Sequence, residues 1–337
     1  MKEVSILDVA KQAGVSPATV SRALNSPNIV APKTLKKIRQ VVKDLNFELS
    51  ERRPSGTARP PRKKRELVSF IVLVDPAQKN LEISSTILEI KQAINETAAQ
   101  KGMRTDMHII SRYDALPDEI LNLNPDGVIL AGWRPEKILA DRLRERNCCW
   151  VLDNMFRPEW GDQVLPDHEE VGHLAADYFM QHNCRRVISI NLRPQNRISM
   201  LRDHGVRASN PLFEYTTLAA GEGFSEFPYT RPAETYIDEI TEKYRQIKKK
   251  PDGIFIDSDF DAALLIPHFN KNKIPLTGIT LLSSDKQDAV LKNLRPRPAT
   301  IDVHFKRIGE IAVGHLYDRI HSKVPLPRIR TLVAPSI

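Results

Sequence analysis

Apolar residues recur along the first 45 positions at helical spacing. Ile6, Val9, Ala10 and Ala13 stand at i, i+3, i+4 and i+7 and predict one face of a short helix. Ser5 can cap that helix, with Asp8 as a weak capping-box partner. Gly14 suits the left-handed stop at its end. Ser16 caps a second helix that opens on Pro17, turns Val20 and Leu24 inward and closes on Asn25. A third helix is expected from Pro32 to Leu45, burying Leu35, Ile38, Val42 and Leu45. From Leu67 the pattern changes to alternating strands and helices. Leu67–Val74 is an apolar, β-branched run fit for a buried parallel strand. Ser84–Lys101 has helical spacing through Ile87, Ile90, Ile94 and Ala98, and Asp106–Ile110 reads as strand.

One connection is written twice, as Asn124-Pro-Asp-Gly-Val-Ile-Leu130 and Lys250-Pro-Asp-Gly-Ile-Phe-Ile256. In each, Pro ends a helix and Gly permits a sharp turn into an apolar strand. The repeat suggests two similar α/β halves. At 337 residues the chain is long enough for two or three compact units, and its 41% hydrophobic content suffices for real cores.

Charge is distributed unevenly. Residues 1–66 carry fifteen Lys and Arg against six Asp and Glu, a net of +9, while the remaining 271 residues carry −1. The cationic excess therefore sits beside the helix-turn-helix, as phosphate contact requires and a packing module does not. That unit would lay its second helix in the DNA major groove. Pro17 and Ala18 can touch thymine methyls, and Arg22 is the best direct reader of a base edge. Ser5, Ser16, Thr19, Ser21 and Asn25 are expected at the DNA backbone.

Asp8-Val9-Ala10, Ala13-Gly14-Val15-Ser16 and Thr19-Val20-Ser21-Arg22, closing on Asn25, resemble the lactose-repressor (LacI/GalR) family of bacterial regulators, and Lys33–Phe47 continues the likeness. The resemblance implies a head at 1–48, a linker at 49–66 and a ligand-binding and dimerisation core at 67–337. The fold expected is a three-helix head followed by a two-subdomain, doubly wound α/β core like that of periplasmic binding proteins. The first subdomain would take about 67–164 and 299–322, the second about 165–298 and 323–337. Crossovers would lie near 155–165, 285–300 and 322–328.

Ligands of such cores sit at the carboxyl ends of strands. By resemblance, Arg202 and Asp285 would hold vicinal hydroxyls of a sugar-like effector, the guanidinium donating and the carboxylate accepting. Asp153 and Asp259 match cleft positions less specifically, and Trp133, Phe227 and Tyr229 could supply an apolar face. Two departures stand out. Ser283-Ser-Asp-Lys286 replaces the usual Gly-Tyr/Phe-Asp-Asp, and Val171 occupies a usual glycine position. A shifted specificity and a degenerate pocket both remain open.

The linker Ser50–Arg65 departs further. Pro54, Gly56, Pro60 and Pro61 disfavour a continuous hinge helix, and no leucine wedge is present. Arg59 and Arg62 suit a narrow A·T-rich minor groove, with Lys63, Lys64 and Arg65 on phosphates. A basic tether without sequence preference fits equally well.

Enzyme motifs fail: GxxxxGK[ST], GxGxxG and HExxH are all missing. Asp257–Asp261 starts like a calcium loop but has Ala262 at the glycine place. Asp167-His-Glu-Glu170 reads as a polar helix start rather than a metal cluster. Cys148, Cys149 and Cys184 form no CxxC pair, and no cofactor or metal is expected. No apolar run is long enough to span a bilayer, and a cytoplasmic location is expected. The reading is a homodimeric repressor of a pseudo-palindromic duplex operator, governed by a sugar or sugar-phosphate effector. The alternative is a DNA-binding dimer with an inactive pocket.

Overall fold

The computed structural model describes residues 6–25, 30–45, 65–74, 85–152, 157–192, 194, 196–221 and 233–337. The chain divides into two compact units, Met1–Lys64 and Arg65–Ile337.

The first unit is three helices, α1 (Ile6–Ala13), α2 (Pro17–Asn25) and α3 (Pro32–Asp44). Their apolar faces meet in one small core of Val9, Ala10, Ala13, Val20, Ala23, Ile38 and Val41. Ile6, Leu24, Leu35, Val42 and Leu45 flank it, partly buried. Val41 rather than Val42 thus joins Ile38 as a buried residue of α3. A helical stripe is wide enough for both, and the neighbour nearer its centre is the one covered.

The second unit alternates strands and helices. Its first part runs β1 (Leu67–Val74), α4 (Ser85–Gln100), β2 (Arg104–Ser111), α5 (Asp118–Leu123), β3 (Gly127–Gly132), α6 (Lys137–Arg144), β4 (Cys148–Trp150) and β5 (Asp162–Pro166). There follow α7 (His168–Gln181), β6 (Arg186–Asn191), α8 (Arg197–Ala208), β7 (Glu214–Ala219), α9 (Ala233–Gln246), β8 (Gly253–Ile256), α10 (Asp259–Lys271), β9 (Thr280–Ser284), α11 (Asp288–Leu291) and β10 (Ala299–Ile301). The chain closes with α12 (Phe305–His321) and β11 (Arg330–Val333). The named strand pairings are parallel and form two sheets, ordered β11-β5-β4-β3-β1-β2 and β10-β9-β8-β6-β7. Paired with β2 on one side and β3 on the other, β1 is buried along nearly its whole length, which explains its unbroken apolar sequence.

The repeated Pro-Asp-Gly does the same work twice. Asp126 Oδ2 accepts the N–H of Leu67 at 2.9 Å, at the start of β1. Asp252 Oδ1 accepts the N–H of Arg186 at 2.8 Å, at the start of β6. Each aspartate pins the strand that opens its sheet, and glycine then leads into the neighbouring strand. The two halves share one plan.

The expected subdomain limits need correction. Residues 299–301 are expected in the first subdomain, but β10 pairs with β9 in the second sheet. Residues 323–337 are expected in the second, but β11 pairs with β5 in the first. The chain leaves the first sheet at Asp167 and returns between β10 and α12, which packs on α4 and β5. Neither 285–300 nor 322–328 passes between sheets. Arg319 fixes the second of these turns: its guanidinium pairs with buried Asp162 and donates to the Leu326 carbonyl at 3.1 Å. Among the described residues, no helix is long and apolar enough to cross a membrane.

Candidate nucleic-acid interface and ligand cleft

The turn between α1 and α2 is built by local chemistry. Gly14 has φ +63°, the left-handed stop that a side chain would strain. Ser16 Oγ accepts the N–H of Thr19 at 3.2 Å and lies 2.8 Å from its hydroxyl, capping α2 ahead of Pro17. With Val20 and Ala23 turned into the core, α2 presents Pro17, Ala18 and Arg22 outward. Ser16 is exposed, while Thr19 and Ser21 are half-buried beside that face. Lys11, Lys33, Lys36, Lys37, Arg39 and Lys43 add cationic charge to the unit. Leu7 of α1 is 66% exposed, an apolar side chain outside the core stripe that the helical spacing does not single out. Arg65 is exposed at the start of the core unit. The Asn25 side chain, Ser5, Arg59, Arg62, Lys63 and Lys64 lie outside the described residues.

In the core, α7 and α8 cross backbone to backbone. A β-carbon on Gly172 would lie 2.1 Å from the Arg202 carbonyl oxygen, and one on Gly205 would lie 2.0 Å from that of Glu169. Only glycine permits this approach, and it seats Arg202 deep under the carboxyl ends of β8 and β9. There Arg202 is 3% exposed. Its Nη2 donates to Asp285 Oδ1 at 2.7 Å and its Nη1 to the Asp257 carbonyl at 2.5 Å. The structure thus brings together the two residues that the sequence singles out, each bonded to the other. Asp285 and Lys286 hold φ of +99° and +47°, a strained pair where the chain leaves β9. Lys286, standing where an acid is usual, pairs with Asp302 at 3.2 Å.

Asp259, expected at the cleft, is held inside the protein. It is fully buried, and its carboxylate accepts from Ser283 Oγ at 2.5 Å, Thr300 Oγ1 at 2.9 Å and the Gln287 N–H at 2.6 Å. Burial pushes its pKa up to about 6, the bonds from Ser283 and Gln287 opposing it, and Asp285 nearby adds to the rise. It ties β9, β10 and the turn after Asp285 together. Trp133 is half-buried just past β3, its N–H bonded to the Leu73 carbonyl at 3.0 Å. Gly132, with φ +101°, turns the chain there; a β-carbon on it would strike that carbonyl at 2.2 Å. Asp153, Phe227 and Tyr229 lie outside the described residues.

Sequence reading missed Asp257 as an Arg202 partner, Ser199 as a donor to its carboxylate, and Gln287, whose Nε2 reaches Glu89 of α4 at 3.1 Å. Asp167 caps α7 by accepting the Glu170 N–H at 3.2 Å, so its motif begins a helix as expected. The three cysteines are buried and free, and burial holds the Cys148 and Cys149 thiols well above their ordinary pKa.

Residues 5–49 match the family described as "Bacterial regulatory proteins, lacI family". The HTH-type transcriptional regulator MalR of Streptococcus pneumoniae serotype 4 is 26% identical over 190 residues, which cover 56% of this chain and 56% of that protein. The sucrose operon repressor of Streptococcus mutans is 26% identical over 339 residues, covering 95% of this chain and 94% of the repressor. Catabolite control protein A of Staphylococcus xylosus is 40% identical over 190 residues, 54% of each chain. Among solved structures, the transcriptional regulator CelR–cellobiose complex superposes with a TM-score of 0.61 at 17% identity, over 98% of this chain and 97% of that one. The lac repressor dimer bound to operator and the anti-inducer ONPF gives 0.57 at 17% identity, over 100% and 98%. These superpositions establish the fold: a helix-turn-helix head followed by a two-sheet α/β core.

Proposed function

We propose that this chain is a lacI-family, sequence-specific DNA-binding transcriptional repressor governed by a small carbohydrate-like effector. The observation that carries the reading is a cationic helix-turn-helix joined to a core whose strand ends converge on Arg202 and Asp285. Relatives across most of this length include a sucrose operon repressor, and a structural neighbour holds cellobiose. Two copies bind a pseudo-palindromic duplex, each inserting α2 into a major groove. Pro17 and Ala18 meet thymine methyls, Arg22 meets guanine, and Ser16, Thr19 and Ser21 meet the backbone.

In the core, a polyol bridges the Arg202 guanidinium and the Asp285 carboxylate, which supply opposite hydrogen-bonding roles. Ligand that prefers one angle between the subdomains shifts the population of that angle and so the affinity for operator. Selecting bound sites from a random duplex pool, with and without neutral sugars, tests both halves. Recovery of symmetric half-sites supports the DNA role, and a sugar-dependent change in retention supports the effector role.

A second reading has one observation in its favour. Arg202 and Asp285 already satisfy each other, so the core could serve dimerisation alone. Symmetric half-sites recovered with no response to any sugar would select that reading.

A further inference from the structure

His168 stands at the first position of α7, directly after the chain leaves the first sheet. Because α7 runs back along β6 before that strand begins, its N-terminus lies at the carboxyl end of the second sheet, where Arg202 also lies. The ring is 5% exposed, and among the described residues neither Nδ1 nor Nε2 has a hydrogen-bond partner. A buried imidazole left in this way goes without the hydrogen bonds it makes in water, and native proteins keep few such groups without a reason. Burial first, then Arg202 and Arg197, hold its pKa well below the ordinary histidine value. The ring is therefore neutral at pH 7, with one N–H to donate and one lone pair to accept with.

We propose that His168 is a specificity-determining residue of the effector cleft, hydrogen-bonding a hydroxyl of an uncharged polyol held beside Arg202 and Asp285. The inference rests on the effector reading above and adds the charge class of the ligand. A hydroxyl both donates and accepts, so it suits a neutral imidazole. Arg202 is already matched by the Asp257 and Asp285 carboxylates at 3.8 and 2.7 Å, which leaves its charge no surplus for a phosphoryl group. Asp285 would meet such a group with like charge.

The test compares full-length wild type, His168→Leu and His168→Gln by thermal unfolding, alone and with sucrose, maltose, cellobiose or glucose 6-phosphate at about 10 mM. Without sugar, His168→Leu is expected to melt no lower than wild type, since it removes a polar group that has no partner. A Tm several degrees lower would mean that the ring is held by bonds inside the protein, and would overturn the proposal. With sugar, at least one neutral disaccharide is expected to raise the wild-type Tm. His168→Leu should weaken that binding at least tenfold, and His168→Gln, which keeps a donor and an acceptor, should recover part of it. Equal responses in wild type and His168→Leu would sink the His168 assignment and leave the effector reading standing. A response to glucose 6-phosphate alone would overturn the charge class. No response by wild type to any of the four would remove the effector reading and this inference with it.

Discussion

Among the described side chains of α2, Arg22 is the exposed one that can donate two parallel hydrogen bonds to a base edge; Pro17 and Ala18 offer only apolar contact. Arg22→Ala should therefore cost about 1–3 kcal/mol at one base-pair position and relax preference there alone. Competition binding against single-position operator variants reads this directly, and a uniform loss across all variants would reassign Arg22 to phosphate contact. Asp259 makes a different kind of statement. Its pKa is raised on folding to about 6 from 3.8. Between those values the folded chain binds more protons than the unfolded one, so stability falls as pH rises from about 4 to 6 and is level above that. The fall attributable to this group is on the order of 3 kcal/mol. Asp259→Asn has no charge to bury and should flatten that part of the curve, as urea unfolding at pH 4, 5, 6 and 7 would show. Both residues are visible in the sequence, but only Arg22 is legible there. Its neighbours on a helix fix where it points, whereas Asp259 is placed by strands 24 and 41 residues away, through Ser283 and Thr300.

At the scale of elements, local chemistry foretells more than distant pairing does. Gly14, Ser16 and Pro17 specify the turn between α1 and α2 within four positions, and the structure keeps all three roles. The two Pro-Asp-Gly connections likewise announce equivalent loops. By contrast, the sequence expectation exchanges β10 and β11 between sheets, because a short strand's partner is set by packing that its own three or four residues do not encode. The crossing of α7 and α8 lies between these cases. Val171 draws attention as the departure from a usual glycine, yet Gly172 is the position that meets the Arg202 carbonyl. Gly205→Ala puts a methyl 2.0 Å from the Glu169 oxygen and must push the helices apart. We expect a stability loss of about 1–3 kcal/mol, at the upper end for so tight an approach. Because the same shift moves Arg202 away from Asp285, any sugar response of the core should weaken more than the fall in Tm alone accounts for. Serine at this position carries the same β-carbon and should behave like alanine; recovery by serine would show that the crossing is not sterically set.

Across the whole molecule, the separation of charge is the property that ties the head to its partner. A net +9 on residues 1–66, against −1 on the rest, puts the cationic excess in the segment proposed to meet a phosphate backbone. Binding that neutralises phosphates releases counterions, so log affinity should fall linearly with log salt, by about 0.9 for each phosphate neutralised. The linker holds six cations between Arg52 and Lys64. Replacing Arg52, Arg53, Arg59, Arg62, Lys63 and Lys64 by glutamine should lower the magnitude of that slope by about 0.9 for every phosphate the linker no longer neutralises. Two sites then separate the linker readings. If arginines enter the minor groove, the six-fold variant also loses its preference for an A·T-rich over a G·C-rich site centre, because narrow A·T tracts concentrate negative potential there. If the linker is a basic tether, the slope falls while the ratio of the two affinities is unchanged. A control such as Arg307→Gln, on an exposed face of α12 within the near-neutral core, should leave both slope and ratio as they were. An unchanged slope in the linker variant would mean that the head alone grips the phosphates, with Lys33, Lys36, Lys37, Arg39 and Lys43 as the candidates to replace next.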